Sequence, residues 1–352
     1  MITDLRLQRF RSYSDASFDM GEGVNIIVGP NASGKTNLLE AVLVLARGGS
    51  YRAKDAELVQ FGQDWARLDA DLPDSSRTVK IASDGTVKKT FELDGDTLTR
   101  LSHQRTLPAV LFEPDHLLLL SSSPDLRRTF LDDLIEQTVP GFGATRRHYK
   151  RVLAQRNSLL KKNPKGLQEQ LFVWNVRMSE LGGRIAVERQ RLVRDFNEQI
   201  GGIYNKLAGR GDAVTAEYTS PFPSDRYETA LLQKLEQNTE LDVLRGFTAY
   251  GPHRDDMAVL IDGHPVQEAA SRGEIRTLVL ALKILELHLL EKARGQKPLL
   301  LLDDVFSELD GKRRQALTKF VNSYQTFITT TDADMVVRHF TESNIIPTSR
   351  QA

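Results

Sequence analysis

Cysteine is absent from this chain of 352 residues, which excludes disulfides and cysteine-ligated zinc sites and makes the cytoplasm the expected compartment. Histidine is sparse: seven residues, none spaced i, i+4 with another, so no helical transition-metal site is indicated. Neither charge sign dominates. Lys+Arg and Asp+Glu stand at 47 each, so bulk charge names no partner and any nucleic-acid surface must be a local patch. No apolar run approaches the ~20 residues that span a bilayer. Met1-Ile2-Thr3-Asp4-Leu5-Arg6 lacks the apolar core of a secretory signal, and no membrane partner is expected. No internal repeat is visible. The length suits one large or two ordinary domains.

One stretch organises the rest. Gly29-Pro30-Asn31-Ala32-Ser33-Gly34-Lys35-Thr36 fits the phosphate-loop pattern G-x-x-x-x-G-K-[ST] at every fixed position. The apolar, β-branched run Val24-Asn25-Ile26-Ile27-Val28 precedes it, and a helix-forming run opens with Asn37 and ends near Arg47-Gly48-Gly49. A strand that stops, glycines that let the backbone curl, and a helix whose free N–H groups point into the curl make an anion cradle. Lys35 is placed to reach the β- and γ-phosphates of ATP, and the Thr36 hydroxyl to ligate Mg²⁺.

Elsewhere the chain alternates between strand-like and helix-like tracts. Residues 1–28 read as strands at the edge of a nucleotide-binding sheet. Residues 66–112 read as a β-meander, with Asp84-Gly85 and Asp94-Gly95 as hairpin turns. From Pro124 the pattern turns helical. Leu167, Leu171, Trp174, Met178, Leu181 and Ile185 step by four and three, and Leu192, Phe196, Ile200, Ile203 and Leu207 prolong the stripe. Gly182-Gly183 and Gly201-Gly202 interrupt it, which favours a helical subdomain packed on itself over a long coiled coil. Strand character returns near Thr215, and Asp262-Gly263 marks another hairpin. The tail after Ile346 is expected to fray. The fold class expected is α/β, a mixed sheet with phosphate loop and meander, in a domain formed by residues 1–123 and 246–352. A helical insert at 124–245 interrupts it.

The second half supplies the remaining chemistry. Leu299-Leu300-Leu301-Leu302 followed by Asp303-Asp304 is a Walker B pattern: a buried strand that delivers Asp303 to the edge where open α/β sheets bind ligands, to hold Mg²⁺. Asp304 stands where ATP-binding-cassette (ABC) ATPases carry a glutamate as general base. Aspartate is one methylene shorter, so slow hydrolysis is expected, with Glu308 as a rival base. Ser271-Arg272-Gly273-Glu274 opens a helix just upstream, in the place and partly the form of the ABC signature motif, which meets the phosphate of a nucleotide held by the other subunit. Ser307-Glu308-Leu309-Asp310 resembles a D-loop, and Glu113 falls where a Q-loop glutamine would be. No switch histidine follows Phe327-Ile328-Thr329-Thr330, leaving Thr331 and Asp332 as candidates.

With these motifs on the page the whole chain resembles the RecF family, ATPases of the SMC and ABC type. The resemblance rests on Phe10-Arg11-Ser12-Tyr13, the stretch from Gly29 to Asn37, Ser50-Tyr51-Arg52, Phe112-Glu113-Pro114-Asp115, Ser271-Arg272-Gly273-Glu274 and the tract from Leu299 to Asp310. Its most specific parts are Arg127-Arg128-Thr129-Phe130-Leu131-Asp132 and Gly251-Pro252-His253-Arg254-Asp255-Asp256, which generic ABC ATPases lack. It implies an ATP-dependent homodimer and a weak, DNA-stimulated ATPase. It also implies binding to duplex DNA at gaps beside single strands, and cooperation with RecR and RecO in loading RecA. Arg11 and Arg52 are candidates to touch the nucleotide or to stabilise the loop, with an ordinary surface ion pair as the alternative for either.

Charge patterning speaks to DNA separately. Between Gln137 and Gln168 there is no acidic residue, while Arg146, Arg147, Lys150, Arg151, Arg156, Lys161, Lys162 and Lys165 accumulate. Such a surface suits phosphate contacts. With few aromatics interleaved it suits duplex backbone better than stacked single strands, and it carries no base-edge readers, so structure rather than sequence would be recognised. Two rival readings share the phosphate loop: the ATPase subunit of a membrane transporter, and a small-molecule kinase.

Overall fold

The structure is a computed structural model, and it describes residues 1–83, 85–332, 336–340 and 342–349. Asp84, half of one expected hairpin turn, lies outside the described residues. The chain divides into two compact units, residues 1–117 with 286–352, and residues 118–285.

Among the described residues the first unit holds two sheets of different character. Strands β1 (Asp4–Phe10), β2 (Tyr13–Asp19), β4 (Trp65–Leu72), β5 (Ser75–Ala82), β6 (Lys88–Leu93) and β7 (Asp96–Leu98) form an antiparallel sheet in the order β2-β1-β4-β5-β6-β7. Strands β3 (Val24–Val28), β8 (Ala109–Phe112), β12 (Leu299–Asp303), β13 (Thr326–Thr330) and β14 (Ser343–Pro347) form a parallel sheet in the order β14-β3-β13-β12-β8. The burial patterns explain the division. β1 alternates along much of its length, as a half-exposed strand does, whereas β8 and β13 are buried throughout and β3 and β12 all but their last residue. The N-terminal strands expected at the edge of the nucleotide-binding sheet therefore belong to the antiparallel sheet instead. Helix α1 (Lys35–Arg47) is buried over ten of its positions and shares one apolar cluster with both sheets, through Leu38, Val42, Leu5, Leu68, Leu301 and Phe327. It stops at Gly48, whose φ of 82° closes the helix by a bond to Val44 O. The short helix α2 (Asp55–Leu58) follows. Asp94 and Gly95 both take positive φ, 50° and 91°, as a two-residue hairpin turn requires. Of the tail expected to fray after Ile346, Pro347 closes β14, which pairs in register with β3, and Thr348 N bonds to Val28 O; residues 350–352 lie outside the described residues.

The second unit is mostly helical: α3 (Pro124–Thr138), α4 (Phe142–Lys162), α5 (Leu167–Asn197), α6 (Ile200–Ala208), α7 (Tyr227–Gln237), α8 (Thr239–Arg245) and α9 (Val266–Ala269). It also holds a small antiparallel sheet of β9 (Val214–Thr219), β10 (Asp256–Ile261) and β11 (His264–Pro265). Helix α10 (Arg272–Arg294) starts in this unit and ends in the first, which also holds α11 (Val305–Glu308) and α12 (Gly311–Val321). The unit is wider than the insert expected at 124–245. β9 lies inside those limits and β10 outside, and their six-residue pairing keeps them together. Helix α5 runs unbroken through Gly182-Gly183, where the missing side chains admit Leu231 and Glu228 of α7 at 3.0–3.2 Å from an added Cβ. Buried Leu167, Leu171, Met178, Leu181 and Ile185 lie on its inner face, but Asn175 rather than Trp174 takes the buried place between them.

Two sequence blocks lock this unit. Arg127 binds Asp256 through two hydrogen bonds of 2.9 and 2.8 Å, and Arg128 donates to Asp255 O. Arg189 pairs with Asp132 and donates to Pro252 O at 2.6 Å. Asp255 accepts from the Tyr218 and Tyr227 hydroxyls, both at 2.7 Å. Burial lowers the pKa of His253 to about 4, so it is neutral at pH 7 and bonds to Tyr149 Oη at 2.7 Å and to Thr248 O. The Arg-Arg-Thr-Phe-Leu-Asp and Gly-Pro-His-Arg-Asp-Asp blocks are thus two halves of one polar junction.

The basic tract of α4 separates into distinct roles. Arg156 is fully buried and pairs with Asp242 at 2.7 Å, with Asn175 and Thr248 taking further N–H groups. Arg146 is bound to Asp132, Asp133 and Glu136 of α3 and is largely covered. Arg147, Lys150, Arg151, Lys161, Lys162 and Lys165 are exposed. Removing one partner of a fully buried pair leaves an uncompensated charge. Asp242→Ala is therefore expected to lower the unfolding free energy by roughly 3–5 kcal/mol in urea titration. An effect under ~1 kcal/mol would mean that the pair is solvated.

Candidate nucleotide-binding site

The residues of the loop stand where a parallel sheet delivers its strand ends. β3 ends at Val28, the chain curls through residues 29–34, and α1 starts at Lys35 with Gly34 at φ 97°. Two backbone positions require the sequence found there. A Cβ on Gly29 would lie 2.3 Å from Thr348 O, and one on Gly34 would meet Ser12 Oγ and Tyr13 Oη at 2.8 and 2.9 Å. Ala32 takes φ 64°, the left-handed turn inside the loop. Lys35 Nζ lies over the curl, donating to the carbonyls of Gly29 and Pro30 at 2.8 and 3.0 Å. An ammonium held there faces the same concavity as the helix N–H groups, and together they favour an anion.

The acidic partner arrives on β12. Asp303 Oδ1 accepts from Thr36 Oγ1 at 3.1 Å and from Thr329 Oγ1 at 2.7 Å, and Tyr51 Oη donates to Oδ2 at 3.4 Å. Parallel pairing sets this up, since Asp303 lies opposite Thr329 in the β12–β13 register. Thr36 and Asp303 present two hard oxygen donors beside the phosphate cradle. That set fits Mg²⁺, which takes one or two protein oxygens and fills its octahedron with phosphate and water.

Asp304 occupies a strained position, φ 54°, directly after the strand. Its N–H donates to Thr329 Oγ1 at 2.9 Å, and Ser307 Oγ donates to its carbonyl at 2.6 Å. Burial pushes its carboxyl above the ordinary range, and the negative charges of Asp303 and Glu308 add to this. A carboxyl raised in this way beside a phosphate cradle is suited to accept a proton. Glu308 is exposed on α11, and Glu113 sits at the end of β8, the neighbour of β12, with its N–H donating to His116 Nδ1 at 3.1 Å.

Arg11 is held by ion pairing to the helix that follows the loop. It binds the fully buried Glu40 of α1 through two hydrogen bonds of 2.9 and 3.0 Å, and Arg52 reaches the same carboxylate at 3.0 Å. Asn37 accepts from Arg52 at 2.7 Å and donates to Ser12 Oγ. Both arginines thus brace the loop's helix. Sequence reading missed Glu40, Thr329, Tyr51 and Thr348. An acid in the middle of an otherwise apolar helix was the available signal for Glu40. The pleat of the Thr329-Thr330-Thr331 run could have pointed to Thr329.

The signature stretch forms a capping box in the second unit. Ser271 N donates to Glu274 Oε2 at 2.7 Å, and Glu274 N to Ser271 Oγ at 3.3 Å. Bonds from Ser271, then from Arg210, hold the Glu274 carboxyl at about 2. Ser271 and Arg272 are exposed, and Gly273 is partly so.

Burial alone would raise the Glu40 carboxyl, but hydrogen bonds from Arg11, Arg52 and Ser50 overcome this and hold it below its ordinary value. A depressed folded-state pKa adds stability that is present above the unfolded value and lost as pH falls through the folded one. Glu40→Gln is expected to cost about 2–3 kcal/mol at pH 7, less than a fully buried pair because both arginines keep some solvent. The gap to wild type should close in strongly acidic denaturant titrations; a constant gap would contradict the ion pairing.

Comparison with known proteins places this geometry. The family model described as "RecF/RecN/SMC N terminal domain" matches residues 1–351. The DNA replication and repair protein RecF of Acetivibrio thermocellus is 33% identical over 347 residues, 95% of this chain and 94% of that one. A solved structure of "the recombination mediator protein RecF-ATPrS in RecFOR pathway" is 29% identical, with a TM-score of 0.86 over 96% of this chain and 94% of that one. An Smc head bound to the C-terminal winged helix of ScpA shares the fold at 15% identity, with a TM-score of 0.52 over 96% and 91%. The chain belongs to the RecF/RecN/SMC N-terminal domain family and, within it, to the RecF proteins.

Proposed function

We propose that this protein is an ATP-switched DNA-binding protein of recombinational repair. The observation that carries the reading is the meeting of Thr36 and Asp303 at 3.1 Å beside Lys35, at the mouth of a phosphate loop. ATP binds with its phosphates in residues 29–36. Thr36 and Asp303 hold Mg²⁺, which would neutralise phosphate charge when bound. Asp304 takes the proton of the attacking water, and Glu308 and Glu113 border the same edge. The exposed Ser271-Arg272-Gly273 turn of a second copy covers the γ-phosphate, so two nucleotides are sandwiched in a homodimer. ATP acts as a ligand of the closed state, and its hydrolysis, slow and stimulated by DNA, releases it.

Exposed Arg147, Lys150, Arg151, Lys161 and Lys162 support contact with the backbone of duplex DNA, including gapped or junction forms, without sequence readout. Arg146, spent on three carboxylates, is left out of that surface. RecR- and RecO-type mediators are the partners, and the cytoplasm the compartment. No described helix is long and apolar enough to cross a membrane. Kinship over nearly the full chain favours this reading over a transporter subunit or a metabolite kinase.

Light scattering tests the sandwich. Mass should double with Mg-ATP, not with Mg-ADP, and the shift should strengthen with gapped DNA. Lys35→Met should abolish ATP binding, while Ser271→Arg should bind ATP and stay monomeric. Doubling by the Ser271 variant would refute the sandwich.

Asp304→Asn should lower ATP turnover by roughly 10²-fold or more with ATP binding intact. Because burial raises its carboxyl, wild-type turnover should begin to fall at a pH above the ordinary aspartate range, as the base becomes protonated. A flat profile down to pH 4 would assign the base elsewhere.

A further inference from the structure

The end of the chain is built into the phosphate loop. β14 pairs with β3 on the side opposite β13, with Pro347 opposite Val28. Thr348 N then donates to Val28 O at 2.7 Å, and Thr348 Oγ1 lies 3.2 Å from the same carbonyl. Its hydroxyl also meets Ser33 Oγ at 2.7 Å, and both residues are buried, at 7% and 3% exposure. The approach is close enough that a Cβ on Gly29 would lie 2.4 Å from Thr348 Oγ1 and 2.6 Å from Ser33 Oγ.

We infer that Thr348 is a positioning residue for ATP: its hydroxyl, paired with Ser33, sets the curvature of the phosphate loop. This rests on the reading that residues 29–36 bind ATP. The loop is anchored at its entrance by Gly29 N to Thr330 O at 3.4 Å and at its exit by Tyr13 Oη to Gly34 O at 3.1 Å. Between these anchors, among the described residues, Ser33 makes the inward bond of the loop's own side chains. The Ser33 side chain reaches Thr348 just past the end of β14, and this bond orients the peptide between Ser33 and Gly34, whose N–H faces the start of α1. Backbone donors serve an anion only where their direction is fixed in advance. Deleting the Thr348 hydroxyl strands that of Ser33 in a buried place, which a flexible Gly-flanked loop relieves by turning Ser33 and with it the cradle; deleting the Ser33 hydroxyl leaves Thr348 its bond to Val28 O but releases the loop from behind.

The test measures the Kd of a fluorescent ATP analogue, with Mg²⁺, on the full chain. One hydrogen bond lost is worth about 0.5–1.5 kcal/mol, so Thr348→Val should weaken binding roughly two- to tenfold. Thr348→Ser, which keeps the hydroxyl, should restore wild-type affinity. Ser33→Ala should weaken binding comparably, and adding Thr348→Val to it should cause no further loss. Ser33→Ala also serves alone if Thr348→Val does not fold. A purely structural role would lower the unfolding temperature but leave Kd unchanged, and that result overturns the inference. So would equal weakening by Ser and Val, or additive losses in the double variant. Wild type and Lys35→Met run alongside: if wild type itself fails to bind, the ATP reading falls rather than this one.

Discussion

Five strands running parallel deliver all their carboxyl ends to one edge, and everything chemical in the first unit depends on that constraint. β3 releases the phosphate loop there, β12 releases Asp303, and β13 brings Thr329 between them in register. The two bonds on Asp303 Oδ1 tie the loop's helix to two strands at once. A shift of one residue in any strand would move its side chain to the other face of the sheet. The site is therefore a property of register, and the buried leucines of β12 matter because they fix it.

The same unit places its charges with a cost that other contacts offset. Glu40 is fully buried in a helix that is otherwise apolar at its inner positions. Two arginines from separate loops converge on it, which holds the segments around residues 11 and 52 against the start of α1. Electrostatics here serve the shape of the loop rather than contact with a ligand. In the second unit the same logic recurs around buried Asp132 and half-buried Asp256, each paired with an arginine, and around Asp255, whose Oδ2 accepts from two tyrosine hydroxyls. Buried polar groups that are partnered specify one arrangement, since any other would leave charge stranded.

Much of this was legible beforehand. The phosphate loop, its strand and its helix follow from local rules: β-branched residues, glycines, then helix formers. The Asp94-Gly95 and Asp262-Gly263 turns take positive φ as their chemistry requires. The Walker B strand shows itself as four leucines before two aspartates. Where the reading went astray, long-range pairing decided. β1 and β2 joined the antiparallel sheet, and the second unit reached past residue 245 through β9–β10. Charge counting along α4 could not see that Arg146 and Arg156 have acidic partners on other helices, because a linear tract carries no information about what packs against it.

The sequence by itself determined which chemistry the chain carries, because a phosphate loop and a Walker B strand are each written within a dozen consecutive residues. The tertiary structure alone decided which residues share that chemistry. Thr329 meets Asp303 through the alignment of two strands, Arg11 pairs with Glu40, and Thr348 meets Ser33 across 315 residues of chain. Contacts at that separation are set by packing and register, which no local pattern encodes.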